Sequence, residues 1–338
     1  MTNQFPSQQP RNEHQAQRIR QQNTVMIAIV VTFVLLLLVF AILLCVNVVM
    51  SFKDDPDTPR DDQTQEDNNT PGDTSPEDDP SNPPMNSNYT TTTVSSGLVH
   101  SQGALLLVNN QNIYTFPSGV SLINIYNRQE AEGTKNQYFK LPGSGILMEE
   151  TAYTQMNKML KAFNDPTVHL TTAHRTYEQQ EALNSKTPAG YSDSHTGLSC
   201  ALRGEKNGAP VDLDKDERYA WLYEHCYEYG FIVRYPADKS EITGVSNYAE
   251  YFRYVGYVHA YIMKNNNFCL EEYIPYLQSH TYGEKALKIT TDNGSSYEIY
   301  YVPATGSQTE VPVPVPGYGE AEIWGDNIGG FIVTVKLS

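Results

Sequence analysis

The sequence predicts a domain of mixed helices and strands that follows a membrane-spanning helix. An uncharged, strongly apolar run covers residues 25–50 of the 338-residue chain. Helical and strand periodicities then alternate from about residue 103 onward, and the segment from about residue 288 alternates as strands do. Without the span and a polar linker, a folding unit of roughly two hundred residues remains, which is enough for a single core.

The N-terminal part of the chain predicts a membrane anchor. Residues 1–24 are polar and more basic than acidic, so we expect a short disordered cytoplasmic tail. The run 25–50 is longer than the ~20 residues that a helix needs to cross a bilayer, and it lacks the features of a cleaved signal peptide. Because aspartates follow it, the positive-inside bias places the C-terminal domain outside the cytoplasm. We therefore predict a single-pass membrane protein.

A polar linker joins the span to the domain. Residues 51–100 are rich in Asp, Pro, Asn, Ser and Thr, a composition that predicts disorder. The formal net charge of −16 argues against a nucleic-acid partner. Cys45 lies in the apolar run, so the domain has an odd number of cysteines, and we expect Cys200, Cys226 and Cys269 to be small buried side chains.

The pattern within the domain predicts its elements in order. We expect a buried strand over 104–108, an amphipathic helix over 148–163, a strand over 168–172, a helix from an Asp214 cap to Gly230, a strand over 231–235, helices over 257–265 and 270–279, and strands thereafter. We divide this part of the chain into a core domain, 101–280, and a C-terminal β extension, 281–338.

Five short motifs occur in a characteristic order. They are AHRTYEQQ (173–180), SDSHTG (192–197), YGFIVRYP (229–236), KSEITG (239–244) and RYVG (253–256). In this order they resemble the VanY-type D-alanyl-D-alanine carboxypeptidases, which are bacterial cell-wall peptidases, over about residues 103–338. The resemblance implies an α+β fold of the hedgehog/D-Ala peptidase type, with a small antiparallel sheet as the floor of a cleft, helices around it and a C-terminal β extension.

The resemblance also implies where a zinc site would lie. In the family a Ser-x-His-x-x-Gly-x-x-x-Asp loop supplies a His and an Asp ligand, and a Glu-x-x-His element supplies the second His and the general base. Three such ligands leave a position for an activated water. Matched to this sequence, the ligand positions hold Ser194, Ala201 and Tyr251, and the general-base position holds Tyr248. We therefore predict that the chain has no zinc site and no confident catalytic residue.

A rearranged metal site is the alternative. His195 is one place from the expected His, but neighbouring side chains of an extended segment point to opposite faces, so we expect a polar loop residue. We expect Glu250 to be solvated, Asp214 to cap a helix and His259 to be structural. The candidates for such a site are His195 and Glu250, with Asp193, Asp212, Asp214 and His259 as further options.

Other parts of the expected cleft are present. The resemblance assigns substrate-holding roles to the positions of Arg175 and Gln180, and Ser192 opens the metal loop. A guanidinium group suits a peptide carboxylate because it presents paired donors, although a structural ion pair is equally compatible with Arg175.

The sequence thus predicts a membrane-anchored, extracytoplasmic, catalytically inactive relative of these peptidases. Its cleft would bind a peptidoglycan stem peptide or an envelope protein, with no cofactor. The alternatives are an active metallo-carboxypeptidase with zinc in a rearranged site, and a passive structural domain.

Overall fold

A computed structural model describes residues 86–117, 119–246 and 248–338, which belong to one compact unit. The predicted cytoplasmic tail, the membrane span over 25–50 and most of the predicted linker lie outside the described residues. Among the helices that the structure describes, none has the length and apolar character needed to cross a membrane.

Helices and strands are mixed along the chain, as expected. The helices described are α1 (Ile125–Glu132), α2 (Glu150–Phe163), α3 (Tyr177–Ala182), α4 (Ala220–His225), α5 (Ser240–Thr243), α6 (Tyr257–Asn266) and α7 (Leu270–Gln278). The strands are β1 (Tyr89–Ser95), β2 (Leu122–Asn124), β3 (Leu147–Glu149), β4 (His169–Thr172), β5 (Ser199–Lys206), β6 (Ala209–Val211), β7 (Phe231–Tyr235), β8 (Tyr248–Tyr254), β9 (Leu287–Thr290), β10 (Ser296–Pro303), β11 (Gln308–Pro314), β12 (Gly319–Gly325) and β13 (Gly330–Leu337).

An antiparallel sheet positions the candidate site. Its strands run in the order β4-β5-β8-β7, and β6 pairs with the far end of β5. The amphipathic helix α2 buries Met156, Met159 and Leu160 against one face of this core, together with Leu170 and Leu202 from the strands. The predictions of this helix, of strands β4 and β7 and of helices α6 and α7 are therefore confirmed within a few residues.

The C-terminal extension is a second antiparallel sheet with strands in the order β12-β13-β10-β9. Its buried face, which includes Ile299 and Ile332, packs on α6 and α7 of the core domain. The predicted β extension is thus present. The prediction of a disordered linker as far as residue 100 is wrong at its end, because Tyr89–Ser95 forms β1 and pairs with β11.

Two further local predictions are wrong. Leu105 and Val108 are buried as expected, but the segment 104–108 forms no strand, because side chains rather than a neighbouring strand bind its carbonyl groups. Asp214 caps no helix and lies in a short 3-10 turn. Asp216 instead accepts a hydrogen bond from the Arg218 backbone N–H ahead of α4.

Candidate functional site

A tight turn brings the predicted zinc loop to the sheet. Asp193–Thr196 forms one turn of 3-10 helix that ends at Gly197, whose φ of 71° lies in the left-handed region. A side chain at Gly197 would be strained there, and its Cβ would lie 2.8 Å from Leu122. The turn therefore leads directly into β5 and places Ser194 against Tyr251 of β8.

The positions matched to the metal ligands lie together. The hydroxyl groups of Ser194 and Tyr251 form a hydrogen bond of 2.6 Å, and both residues are buried. Ala201 is the ladder partner of Tyr251 where β5 pairs with β8. The Tyr248 ring lies 5.3 Å from the Tyr251 ring, centroid to centroid, and is 37% exposed. The residues at the matched positions therefore lie together around Tyr251, at the position of the cleft that the resemblance implies.

The two tyrosines of this group are neutral at physiological pH. Burial raises the pKa of Tyr251 well above 10, and the nearby Asp193 carboxylate raises it further. Burial also raises the pKa of Tyr248, although Arg175 partly opposes that shift. A neutral phenol is a poor metal ligand and a poor proton acceptor.

Arg175 lies beside these tyrosines and is held by Gln180. The Arg175 guanidinium donates from Nη1 to Gln180 Oε1 at 2.7 Å and from Nε to Thr172 Oγ1 at 3.3 Å. Gln180 is 2% exposed, and its Nε2 donates to Ser185 Oγ and to the Thr187 carbonyl. Within the described part of the chain Arg175 forms no ion pair, so its charge remains available to an anionic ligand. Ser192 is buried at the start of the turn.

Asp193, one residue before Ser194, lies in a buried ion network that the sequence reasoning missed. Its carboxylate accepts hydrogen bonds from Arg253, from Arg234 at 3.3 Å and from the Ser199 hydroxyl. Glu271 pairs with Arg234 at 2.7 Å. Both arginines are 0% exposed. An Arg at the centre of an apolar strand, as in FIVRY and YFRYV, is the sequence signal that predicts such a network.

The two histidines considered as replacement ligands are already bound within the protein. His195 Nε2 accepts from the Gly190 N–H at 3.0 Å, so Nδ1 carries the proton and donates to the Arg175 carbonyl at 2.8 Å. His259 is fully buried between the hydroxyls of Tyr273 and Thr334. Burial lowers the pKa of His195 and lowers that of His259 to about 3. Both histidines thus have structural partners for both ring nitrogens.

Glu250 lies with other carboxylates rather than with the histidines. Asp212, Asp214 and Glu250 present oxygen atoms within 4.8 Å of one another, and no other group of three metal-ligating side chains is this close within the described residues. Burial and the two aspartates raise the pKa of Glu250. Arg203 and Lys215 already pair with Asp212 and Asp214 at 2.7 Å and 2.6 Å. These basic partners offset much of the charge that would attract a cation.

The three domain cysteines are free thiols, and all are buried. Burial raises the pKa of Cys226 and Cys269 to about 12. These residues therefore serve as small apolar side chains, as expected.

Residues 145–257 match the family model described as VanY, D-alanyl-D-alanine carboxypeptidase. A D-alanyl-D-alanine carboxypeptidase of Enterococcus faecium is 32% identical over 262 residues, which cover 75% of this chain and 82% of the relative. The chain belongs to the VanY family of D-alanyl-D-alanine carboxypeptidases.

Two other relatives are similar over different lengths. The bifunctional D-Ala-D-Ala dipeptidase and carboxypeptidase VanXYC of Enterococcus gallinarum is 53% identical over 93 residues, 26% of this chain and 48% of the relative. The crystal structure of the vancomycin-resistance D,D-dipeptidase VanXYg, in complex with a D-Ala-D-Ala phosphinate analogue, superposes with a TM-score of 0.64 at 26% identity. That match covers 73% of this chain and 99% of the other chain.

The donor set in this cleft does not fit the zinc that the family implies. Protein zinc sites use His, Cys or carboxylate ligands, and the matched positions offer one serine hydroxyl, one neutral phenol and a methyl group. The Ser194 and Tyr251 hydroxyls are moreover bonded to each other. No step of a reaction is therefore assigned to a metal ion at these residues.

Proposed function

We propose that this protein is a catalytically inactive member of the VanY family that binds a peptide ending in a free carboxylate. The hydrogen bond between Ser194 and Tyr251 is the observation that carries the first half of the proposal. Two positions that hold zinc ligands in the family are occupied here by neutral hydroxyl groups that bond to each other. Tyr248, at the general-base position, is a poor proton acceptor. A chain with these groups binds without hydrolysing.

Arg175 supports the binding half of the proposal. A part-buried guanidinium with free donors suits a carboxylate, since charge-assisted paired hydrogen bonds are among the stronger polar contacts in proteins. Gln180 orients this guanidinium, and the partly exposed Tyr248 ring offers an apolar surface to the ligand. The relatives named for D-alanyl-D-alanine carboxypeptidase activity suggest the peptidoglycan stem peptide as the ligand.

The test measures binding and turnover on the same full-length protein. A pentapeptide ending in D-Ala-D-Ala should bind in a calorimetric titration with no release of D-alanine. The Arg175→Ala variant should weaken binding by about tenfold or more, because a charge-assisted bond contributes roughly 1.5–3 kcal/mol. Equal binding by both proteins would indicate a passive domain or a different ligand surface, and release of D-alanine would contradict inactivity.

Two controls test whether the effect is specific to Arg175 and to the carboxylate of the peptide. Arg218 is also a basic residue of the domain, but it pairs with Asp216. The Arg218→Ala variant should therefore bind the peptide as the parent does. A peptide amidated at its C-terminus should bind as weakly to the parent as the free peptide binds to the Arg175→Ala variant.

A rearranged metal site is the second candidate, favoured by the proximity of Asp212, Asp214 and Glu250. If these carboxylates bound a catalytic metal, added zinc would produce D-alanine release that the Glu250→Gln variant abolishes. Unchanged, undetectable release in both proteins is the result expected under our proposal.

We further propose that residues 25–50 anchor the protein in a membrane, with the domain outside the cytoplasm. The length of the uncharged run and the acidic residues after it support this topology. Protease added to intact cells should digest the domain, while a tag at residue 1 should stay protected. Protection of the domain would contradict the topology.

A further inference from the structure

A cavity lies between the N-terminal segment 98–121, the start of α2 and strand β12. Its volume is about 480 Å³, within the range typical of small-molecule sites. Its lining includes Gln102, Tyr114, Glu149, Tyr254, Glu322 and Trp324. Arg175, Ser194, Tyr248 and Tyr251 are not part of this lining, so the cavity is a separate site from the cleft.

The charge of the lining is uniformly negative. Glu149 and Glu322 are its charged residues, and no Lys, Arg or His lines the cavity. Neither carboxylate forms an ion pair within the described part of the chain. Glu149 Oε2 accepts the Ala152 N–H at the start of α2, which leaves Oε1 free, and Glu322 is exposed at the rim. Two carboxylates without a cation between them would stabilise a positively charged ligand.

Within the described part of the chain, no basic group outside the lining forms an ion pair with either carboxylate. Arg253 lies behind the cavity wall, where it donates to the carbonyl groups of Ala104 and Leu106, and its charge is paired with Asp193. Lys336 does not line this cavity but lines a neighbouring one, which shares Tyr254, Glu322 and Trp324 with it and also includes Glu320. The negative potential of the cavity therefore has no counterion among the residues that line it.

Aromatic rings line the same space. Tyr254 lies close to both carboxylates, and burial together with Glu322 and Glu149 raises its pKa to about 12. Trp324 lies on the same strand as Glu322, two residues along, and is partly buried. Rings of Trp and Tyr attract organic cations through their π faces, whereas a bare divalent metal ion prefers a shell of oxygen atoms.

We propose that this cavity is a binding site for an organic ammonium group on an aliphatic chain, held between the carboxylates of Glu149 and Glu322 and the rings of Tyr254 and Trp324. The ammonium group pairs with the two carboxylates, which have no other counterion in the lining. The aliphatic chain of the ligand contacts the two rings. The proposal is independent of the proposed function, because it uses none of the residues of the cleft.

The chain contains a built-in reporter for this site. It has two tryptophans, Trp221 and Trp324, so the Trp221→Phe variant leaves Trp324 as the single tryptophan. Titration of the full-length variant with pentylammonium should change the Trp324 fluorescence to saturation, whereas neutral pentan-1-ol should not. A second titration uses Nα-acetyl-lysine amide, which carries the same ammonium group on a lysine side chain. Tighter binding of this compound than of pentylammonium would indicate that the site prefers an amine within a peptide.

A matched pair of variants tests the role of the carboxylate. Glu322→Gln should weaken ammonium binding by about tenfold, since a hydrogen bond to a charged group contributes roughly 1.5–3 kcal/mol. Glu320→Gln removes the same charge from the same strand but from outside this cavity, and it should leave the affinity unchanged. Equal weakening by both variants, equal binding of pentan-1-ol, or no fluorescence change with either amine would overturn the proposal.

Discussion

Asp193 and Ser194 are neighbours in one turn, yet their side chains enter opposite kinds of environment. Asp193 meets two buried guanidinium groups and a hydroxyl, whereas Ser194 meets a single neutral phenol. The turn is therefore attached to the sheet by the ion pairs of Asp193 and by the hydrogen bond between the neutral hydroxyls of Ser194 and Tyr251. This difference indicates that the pair of Asp193 with Arg253 joins the turn to β8.

The ion pairs of Asp193 should contribute more to the free energy of unfolding than the Ser194–Tyr251 hydrogen bond does. Asp193→Asn keeps the shape of the side chain but leaves Arg253 buried without its carboxylate, and breaking a buried pair costs about 3–5 kcal/mol. We expect a loss of that size in the free energy of unfolding, measured by urea denaturation. Asp214→Asn, at an exposed carboxylate, should change it by less than about 0.5 kcal/mol. A loss below about 1 kcal/mol for Asp193→Asn would mean that the network does not hold the turn.

The buried imidazole of His259 should make the stability of the domain depend on pH. Unfolded His259 binds a proton below pH 6.5, while the folded residue, with a pKa of about 3, does not. Stability is therefore lost as the pH falls through this window. Between pH 6.5 and 4.5 the parent should lose about 2–3 kcal/mol more than the His259→Asn variant in urea denaturation. Parallel pH profiles would show that the His259 pKa is not lowered.

Of these three effects, the hydrogen bond between Ser194 and Tyr251 should contribute least to the free energy of unfolding. A hydrogen bond between two hydroxyls contributes about 0.5–1.5 kcal/mol, so Ser194→Ala and Tyr251→Phe should show a coupling energy of that size in a double-mutant cycle. The single variants should each leave one hydroxyl without its partner. Strictly additive effects would mean that the two hydroxyls do not interact.

Much of the fold could be predicted from local sequence patterns, because many of its helices and strands have an apolar periodicity of their own. The stripe of α2 and the apolar run of β7 can be read from a few neighbouring residues. Strand β1 was missed although Tyr, Thr and Val favour strands, because the segment continues a polar linker and its partner β11 lies more than two hundred residues later in the chain.

The same limit explains the error over 104–108. An apolar run reads as a strand, but the carbonyl groups of Ala104 and Leu106 accept from Arg253 instead of from a neighbouring strand. Only the folded chain brings that guanidinium to this segment. The grouping of Ser194, Ala201, Tyr248 and Tyr251 also depends on the sheet, and it was predicted from the resemblance of the motifs rather than from local pattern.

Zinc binding at equilibrium tests the account most directly. The full-length protein, dialysed against zinc and analysed for metal, should hold far less than one ion per chain at this cleft. The Ser194→His/Ala201→Asp/Tyr251→His variant supplies two imidazoles and a carboxylate, and it should gain one ion per chain. One zinc ion per chain in the parent, lost in a Tyr251→Phe variant, would contradict the account.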